Sequence, residues 1–352
     1  MGRRSCVKAA ALCAVGVLAA SGCAGGGQDD EGGGGDRLSV ATGAYPLQWL
    51  TEQVGGDRVE VQNLADPGTD PHELELSPRQ IGTVSSADIA FYIGGLQPAV
   101  DDAVADQGGG NGLDVAELVE LRTLEENAES GGHEHGGDGE GHEDGHGGEG
   151  DSHDDDHGSG GDEAANESGD AHDHGHDAGE PDPHMWLDTE RFARAAEGLA
   201  DRLGEVDPEH ASDYADNAET VTGLLDEIDT EYSTGLAECE SRDIVVSHSA
   251  FGYLAARYDL HQISPAGLDS HSEPSPGRLA EIAETVREED ITTVFTEPLS
   301  DSGAAETIAE EAGAETAVLD PIEGVADASA GDDYPSLMRA NLDTLSEALR
   351  CS

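Results

Sequence analysis

The sequence predicts an α/β protein of two lobes, each with a mainly parallel sheet flanked by helices, joined by one long connecting helix. Residues 37–125 and 242–352 alternate short strand-like and helical segments, a pattern typical of parallel sheets. Residues 190–238 carry a continuous helical period instead. Residues 131–183 contain nine His, eighteen Asp or Glu and sixteen Gly without an apolar period, which predicts a disordered insert in the first lobe.

The first lobe is expected to contain strands at residues 38–41, from 59 onward and at 88–93. A helix is expected after the second strand. Ser77 is a typical N-cap, Pro78 suits the first helical position, and Gln80 completes a capping box.

The connecting helix is expected at about 208–235, with Asp207 as its N-cap and Pro208 in its first turn. Its apolar residues recur at spacings of three and four: Ala211, Tyr214, Ala218, Val221, Leu225, Ile228 and Tyr232. A helix of this length spans ~40 Å, enough to join two lobes. The second lobe follows, with strands expected at 244–246, 291–295 and 316–319 and helices at 250–258, from 275, at 304–312 and at 335–349.

The charge balance narrows the classes of partner. The 352 residues include 16 Lys or Arg and 77 Asp or Glu, a formal net charge of −61. Nucleic acid and anionic membrane surfaces both require a basic face, so this balance excludes them as partners. It is compatible with a cation ligand or with adaptation to a salt-rich habitat.

The first residues resemble a bacterial lipoprotein signal. Arg3, Arg4 and Lys8 precede an apolar run at residues 9–20, which is too short to span a membrane. Small residues then lead to Cys23, the expected site of lipidation, which would tether the protein outside the cytoplasmic membrane. The alternative is an ordinary secretory signal with a chance cysteine.

The predicted boundaries are a signal peptide at 1–23, a Gly/Asp-rich tether at 24–36, a first lobe at 37–188, a helical region at 189–240 and a second lobe at 241–352. Cys239 and Cys351 are the cysteines left after the signal and the lipid anchor. In an oxidising compartment we expect them to form a disulfide, and two free thiols are the alternative.

Three histidines and one aspartate are candidate metal ligands. His72, His184 and His248 each lie where a loop meets the end of a helix or strand, and Asp320 directly follows a predicted strand. Ligands bind beyond the carboxyl ends of strands in open α/β sheets. Three imidazoles and one carboxylate suit tetrahedral Zn²⁺, although spacing alone also allows four solvated polar residues.

The insert offers further weak, exchangeable ligands. Its histidines are His133, His135, His142, His146, His153, His157, His172, His174 and His176. They could raise the local concentration of Zn²⁺ near the principal site or sense metal load. The alternative is an acidic spacer with no metal role.

Eight motifs in both predicted lobes resemble one family. They are residues 45–50 (YPLQWL), 55–59 (GGDRV), 70–76 (DPHELEL), 182–188 (DPHMWLD), 247–254 (SHSAFGYL), 273–275 (EPS), 295–298 (FTEP) and 319–321 (LDP). Their order and content are similar to those of the zinc-binding, substrate-binding lipoproteins of bacterial ABC importers, the ZnuA-like branch of the TroA-like family.

The resemblance implies a monomeric, lipid-anchored extracytoplasmic receptor that delivers Zn²⁺ to the permease of an ABC importer. It places the metal ligands at His72, His184, His248 and Asp320, in a cleft between lobes that a stiff connecting helix joins. His248 stands where manganese members typically carry Glu, which favours zinc. Zinc members of the family also often carry a His-rich loop such as the insert.

Three other functions are compatible with the sequence. One is a manganese or other divalent-metal receptor, and another is a surface adhesin or zinc buffer. A secreted zinc hydrolase needs an open metal position and a general base, for which Glu73 or Glu297 could serve, although no pattern in the sequence orients them. A His-Glu-x-x-His sequence occurs once, at residues 142–146, but it lies in the Gly-rich insert, which has no apolar period of a helix. Because imidazole must be neutral to bind, zinc affinity is expected to fall below about pH 6.5.

Overall fold

The computed structural model describes residues 37–107, 110–129, 179, 181–268, 270, 273–326 and 328–352. Its strands are β1 (Leu38–Thr42), β2 (Val59–Asn63), β3 (Ile89–Tyr92), β4 (Gly112–Asp114), β5 (Asp243–Val245), β6 (His261–Ile263), β7 (Thr293–Thr296) and β8 (Glu315–Val318). Its helices are α1 (Tyr45–Gly55), α2 (Pro78–Ser86), α3 (Pro98–Gln107), α4 (Leu124–Glu129), α5 (Thr189–Val206), α6 (Ala211–Gly235), α7 (Gly252–Tyr258), α8 (Pro276–Glu288), α9 (Gly303–Ala312) and α10 (Tyr334–Ala348).

The strands form two four-stranded sheets with the same topology. The orders are β2-β1-β3-β4 and β6-β5-β7-β8, and every pairing is parallel, as the alternation of strands and helices predicts. In both sheets the strand order reverses between the first and third strands. Loops at the carboxyl ends of strands next to such a switch point commonly form binding sites.

Two helices begin with the same local device. Ser77 caps α2 by accepting a hydrogen bond from the Gln80 backbone N–H, and Gln80 Oε1 accepts one in return from Ser77 N–H, so the predicted capping box is present. Ser275 caps α8 in the same way through the Arg278 backbone N–H. In both helices proline occupies the first turn, where its missing N–H costs no intrahelical hydrogen bond.

The long connecting helix α6 begins at Ala211, three residues later than the sequence suggests. Asp207 ends α5 instead of capping α6, and its carboxylate accepts a hydrogen bond from the Tyr214 hydroxyl. The residues between the helices form a turn in which His210 N–H donates to the Asp207 carbonyl. With 25 residues, α6 is about 37 Å long.

The helix α6 packs against elements of both halves of the chain. Near its start, Asn217 donates a hydrogen bond to the Val54 carbonyl at the end of α1. Near its end, the buried Tyr232 hydroxyl donates to the Met338 carbonyl in α10. The apolar stripe is buried from Tyr214 to Tyr232, and one continuous hydrophobic core contains side chains from both sheets. These contacts fix the two sheets relative to each other.

Cys239 and Cys351 form the predicted disulfide, which links the segment after α6 to the C-terminus over 112 residues. Replacing both cysteines with serine is expected to lower the free energy of unfolding by about 4–5 kcal/mol, because the bond restricts a long loop in the unfolded chain. Urea unfolding of the oxidised wild-type protein and of the double variant measures this difference. Equal midpoints and slopes would contradict the prediction.

No helix among the described residues is both long and apolar enough to cross a membrane. The expected lipidation site Cys23, the signal peptide and the tether lie outside the described residues, and so do the nine histidines of the insert.

Candidate metal centre

His72 lies in the loop between β2 and α2. The loop forms a single 3-10 turn, Pro71–Glu73, and the Asp70 carboxylate caps this turn by accepting a hydrogen bond of 2.8 Å from His72 N–H. The buried Gln97 amide donates to the carbonyl of Pro71, which anchors the turn to the rest of the first sheet's loops. The imidazole therefore projects from a short turn whose start is held by two side chains.

His184 is fully buried and directly precedes the 3-10 turn Met185–Leu187 that leads into α5. Its Nδ1 lies 2.8 Å from Asp182 Oδ1, which also accepts a hydrogen bond from the His184 backbone N–H. The second oxygen of Asp182 accepts a hydrogen bond from the Asn127 amide. A carboxylate on Nδ1 fixes the ring orientation and leaves Nε2 available for a metal.

His248 follows β5 and is also fully buried. Its Nδ1 lies 2.7 Å from Glu297 Oε2, and its backbone N–H donates to Glu297 Oε1. Glu297 directly follows β7, the neighbour of β5 in the second sheet, and the Ser300 hydroxyl donates to it. A carboxylate therefore lies beside Nδ1 of His248, as one does beside Nδ1 of His184, and the backbone bond holds it there.

The three imidazoles converge on the carboxylate of Glu323. The Glu323 Oε1 atom lies 3.0 Å from His184 Nε2, 3.1 Å from His72 Nε2 and 3.4 Å from His248 Nε2. One ligand atom from each of the four residues lies within 4.8 Å of the other three. Glu323 is buried, and only the side chain of His72, with 12% exposure, reaches the solvent.

The pKa values of this cluster show that it attracts positive charge. Burial alone lowers the pKa of His184 and His248, but the nearby carboxylates outweigh burial and raise both above the ordinary 6.5. Burial alone raises the pKa of Glu323, yet the three imidazoles hold it well below 4.5. The buried carboxylates thus favour positive charge at this point, which a metal cation would supply.

Asp320, the expected fourth ligand, is not part of this group. Its Oδ1 accepts a hydrogen bond from Ile322 N–H and its Oδ2 accepts one from the Ser329 hydroxyl, so its oxygens are engaged within their own loop. The structure brings together His72, His184 and His248 with Glu323 instead.

Glu323 was not among the ligands expected from the sequence, although its position resembles that of Asp320. Both Asp320 and Glu323 follow the same strand, β8, in one short loop. Asp320 was the expected ligand because it lies nearer the strand. The choice depends on how the loop turns after Pro321, which the order of residues does not show.

Comparisons with known proteins find zinc-binding relatives. The chain is 30% identical over 320 residues to the zinc-binding lipoprotein AdcA of Streptococcus pneumoniae, covering 88% of this chain and 56% of that protein. It is 29% identical over 318 residues to the high-affinity zinc uptake system protein ZnuA of Bacillus subtilis, covering 90% of this chain and 88% of that protein. The chain thus spans about half the length of the first of these curated relatives.

The fold has solved counterparts. The crystal structure of the Zn(II)-bound ZnuA-like domain of Streptococcus pneumoniae AdcA matches with a TM-score of 0.64 and 26% sequence identity, covering 89% of this chain and 99% of that one. The family model described as the periplasmic zinc-uptake complex component A, ZnuA, matches residues 40–348, which include all four residues of the cluster. The chain therefore belongs to the ZnuA family.

Proposed function

We propose that the protein is an extracytoplasmic receptor that captures Zn²⁺ with His72, His184, His248 and Glu323 and delivers it to the permease of an ABC importer. The observation that carries the proposal is the convergence of three imidazole Nε2 atoms and one carboxylate oxygen at a single buried point. Membership of the ZnuA family and the names of the zinc-binding relatives support the same cargo and the same partner.

The ligand set favours zinc over harder divalent cations. Imidazole nitrogen suits Zn²⁺, whereas Mg²⁺, Ca²⁺ and Mn²⁺ prefer carboxylate, carbonyl and water oxygens. The Oε2 atom of Glu323 is buried and has no hydrogen-bond partner among the described residues, as expected of a carboxylate awaiting a cation.

Several features favour transport over hydrolysis. Four protein ligands complete a tetrahedral zinc site, whereas catalytic sites keep one position open for water. Glu297, which sequence reasoning considered as a general base, instead lies 2.7 Å from His248 Nδ1 and orients that imidazole. Asp182 has the equivalent role at His184.

The expected lipid on Cys23 would hold the receptor at the outer face of the cell membrane, close to the permease. The name of the zinc-binding lipoprotein from Streptococcus pneumoniae supports this location. The capture site then needs no membrane-spanning segment of its own.

Elemental analysis and competition titration of the purified mature protein test the cargo. We expect one tightly bound zinc per chain, and an affinity more than about 100-fold lower after His72→Ala, since even residues that only orient ligands contribute about 10–100-fold. His72 is the most accessible of the three histidines, so its removal disturbs packing least. His210→Ala is the matched control, because His210 lies outside the cluster between α5 and α6. A wild-type protein that binds no zinc would refute the proposal.

The insert is proposed to bind additional zinc more weakly than the cluster. Deletion of residues 131–180 is expected to lower the number of zinc ions bound per chain while keeping one tight site. Isothermal titration calorimetry of the deleted and full-length chains resolves the two classes of site. Loss of the tight site on deletion would show that the insert contributes ligands to it, and an unchanged stoichiometry would favour a plain acidic spacer.

A further inference from the structure

Ile322 has a backbone conformation that is unusual for its residue type. Four non-glycine residues of the described chain have positive φ: Asp259, Asp290, Arg350 and Ile322. The first three follow the C-terminal ends of helices, where a left-handed residue commonly closes the last turn. Ile322, at φ +61°, follows no helix, and for a β-branched residue this region is strongly disfavoured.

Glu323 directly follows this strained residue in the chain. Strained backbone persists only where surrounding contacts enforce it, and it is concentrated at functional sites. Ile322 is fully buried, and its N–H donates a hydrogen bond of 2.8 Å to Asp320 Oδ1. This bond closes a short ring around Pro321 and fixes the direction in which the chain enters Glu323.

Every polar group of Asp320 takes part in a hydrogen bond. Its backbone N–H donates to Asn341 Oδ1 at 2.9 Å, and its carbonyl accepts from Asn341 Nδ2 at 2.7 Å. Its second carboxylate oxygen accepts from the Ser329 hydroxyl at 2.7 Å. Asn341 lies on α10 and is buried, so the start of the loop is fixed to a rigid helix.

Two residues distant in sequence hold the backbone of the loop at Pro321 and Glu323. The indole N–H of Trp186 donates a hydrogen bond of 2.7 Å to the Pro321 carbonyl, and Trp186 is two residues from His184. The backbone N–H of Tyr45 donates to the Glu323 carbonyl at 3.3 Å. Through Trp186, the position of the Glu323 loop is set relative to the imidazole of His184.

We propose that Asp320 is a positioning residue which, together with Asn341 and Trp186, holds Ile322 in the left-handed conformation and so aims Glu323 at the three imidazoles. The inference rests on the proposed function, because it concerns the same site. It assigns Asp320 a role through its hydrogen bonds and not through contact with the metal. The fourth ligand is then in place before zinc arrives, so binding does not need to order this loop.

A double-mutant cycle tests whether Asp320 acts through Glu323. Asp320→Ala removes the acceptor for Ile322 N–H and is expected to lower zinc affinity about 10–100-fold, the range for residues that orient ligands. In the Glu323→Ala background the same substitution is expected to have almost no further effect, because there is no carboxylate left to position. Equal losses in both backgrounds would overturn the proposal.

Two further measurements and a control variant separate positioning from direct ligation. Asp320→Asn keeps an acceptor for Ile322 N–H and is expected to recover most of the affinity lost in Asp320→Ala. The visible absorption of the cobalt-substituted protein is expected to change with Glu323→Ala and to remain that of a four-ligand site with Asp320→Asn. Asp332→Ala, which removes an exposed carboxylate ahead of α10, is the control and should match the wild type.

A milder variant covers the case in which Asp320→Ala does not fold. Ser329→Ala frees one oxygen of Asp320 and is expected to lower affinity a few-fold, and only while Glu323 is present. If the wild type binds zinc and these variants bind it equally well, the positioning role is refuted while the proposed function stands. If the wild type itself binds no zinc, the proposed function is refuted.

Discussion

Replacing Glu323 with alanine is expected to lower zinc affinity by more than about 100-fold. Glu323 contacts all three imidazoles. Loss of a residue that only orients a ligand costs about 10–100-fold in affinity, so loss of a ligand itself is expected to cost more. The variant loses the one carboxylate of the cluster and leaves three neutral nitrogen ligands. Competition titration against a chelator of known affinity measures the change.

Glu315→Ala is the matched control for this experiment. Glu315 begins β8, the strand that leads into the same loop, and its side chain is exposed. Its removal should leave zinc affinity unchanged. Wild-type affinity in the Glu323→Ala variant would exclude Glu323 as a ligand.

The second large effect is the dependence of zinc binding on pH. Because nearby carboxylates raise the pKa of His184 and His248 above 6.5, these imidazoles of the metal-free site keep their protons to a higher pH than free imidazoles do. Zinc must displace them. We therefore expect the affinity to begin falling at a pH above 6.5, higher than unperturbed imidazoles predict, and by up to about tenfold per pH unit for each proton released.

Proton release provides a direct measurement. At pH 7.5, three unperturbed imidazoles would release ~0.3 protons in total per zinc, whereas the raised pKa values of His184 and His248 predict a larger number. Titration calorimetry in buffers of different ionisation enthalpy gives this number. Glu297→Gln, which removes the main group raising the pKa of His248, should reduce it. A release of ~0.3 protons or fewer in the wild type would contradict the prediction.

The same groups determine how the metal-free protein responds to pH. The two raised histidine pKa values contribute stability that is complete below 6.5 and is lost as the pH rises through the folded-state values. The lowered pKa of Glu323 contributes stability that is complete above 4.5 and is lost as the pH falls through its folded-state value. The cluster therefore stabilises the metal-free chain most between about pH 4.5 and 6.5.

Local signals determined much of the fold. The Ser77 capping box, the apolar stripe of α6 and the βα alternation depend on contacts a few residues apart, and the structure has all three. The start of α6 differs, because Asp207 bonds the Tyr214 hydroxyl across a turn instead of capping the next helix. The sequence predicts an N-cap at Asp207, but in the structure the Asp207 carboxylate binds the Tyr214 hydroxyl of α6 instead of a backbone N–H.

The sequence by itself determined two parallel sheets, a long helix between them and the cysteine pair, since each depends on a local pattern or a residue type. The three histidines of the centre were expected from their loop positions together with the family resemblance. Only the tertiary structure decided the carboxylate. Asp320 and Glu323 are alike in chemistry and lie in one loop, and contacts from distant residues, Trp186 and Asn341, set which of the two faces the imidazoles. Such contacts form only when the chain has folded, so no local pattern could distinguish the two.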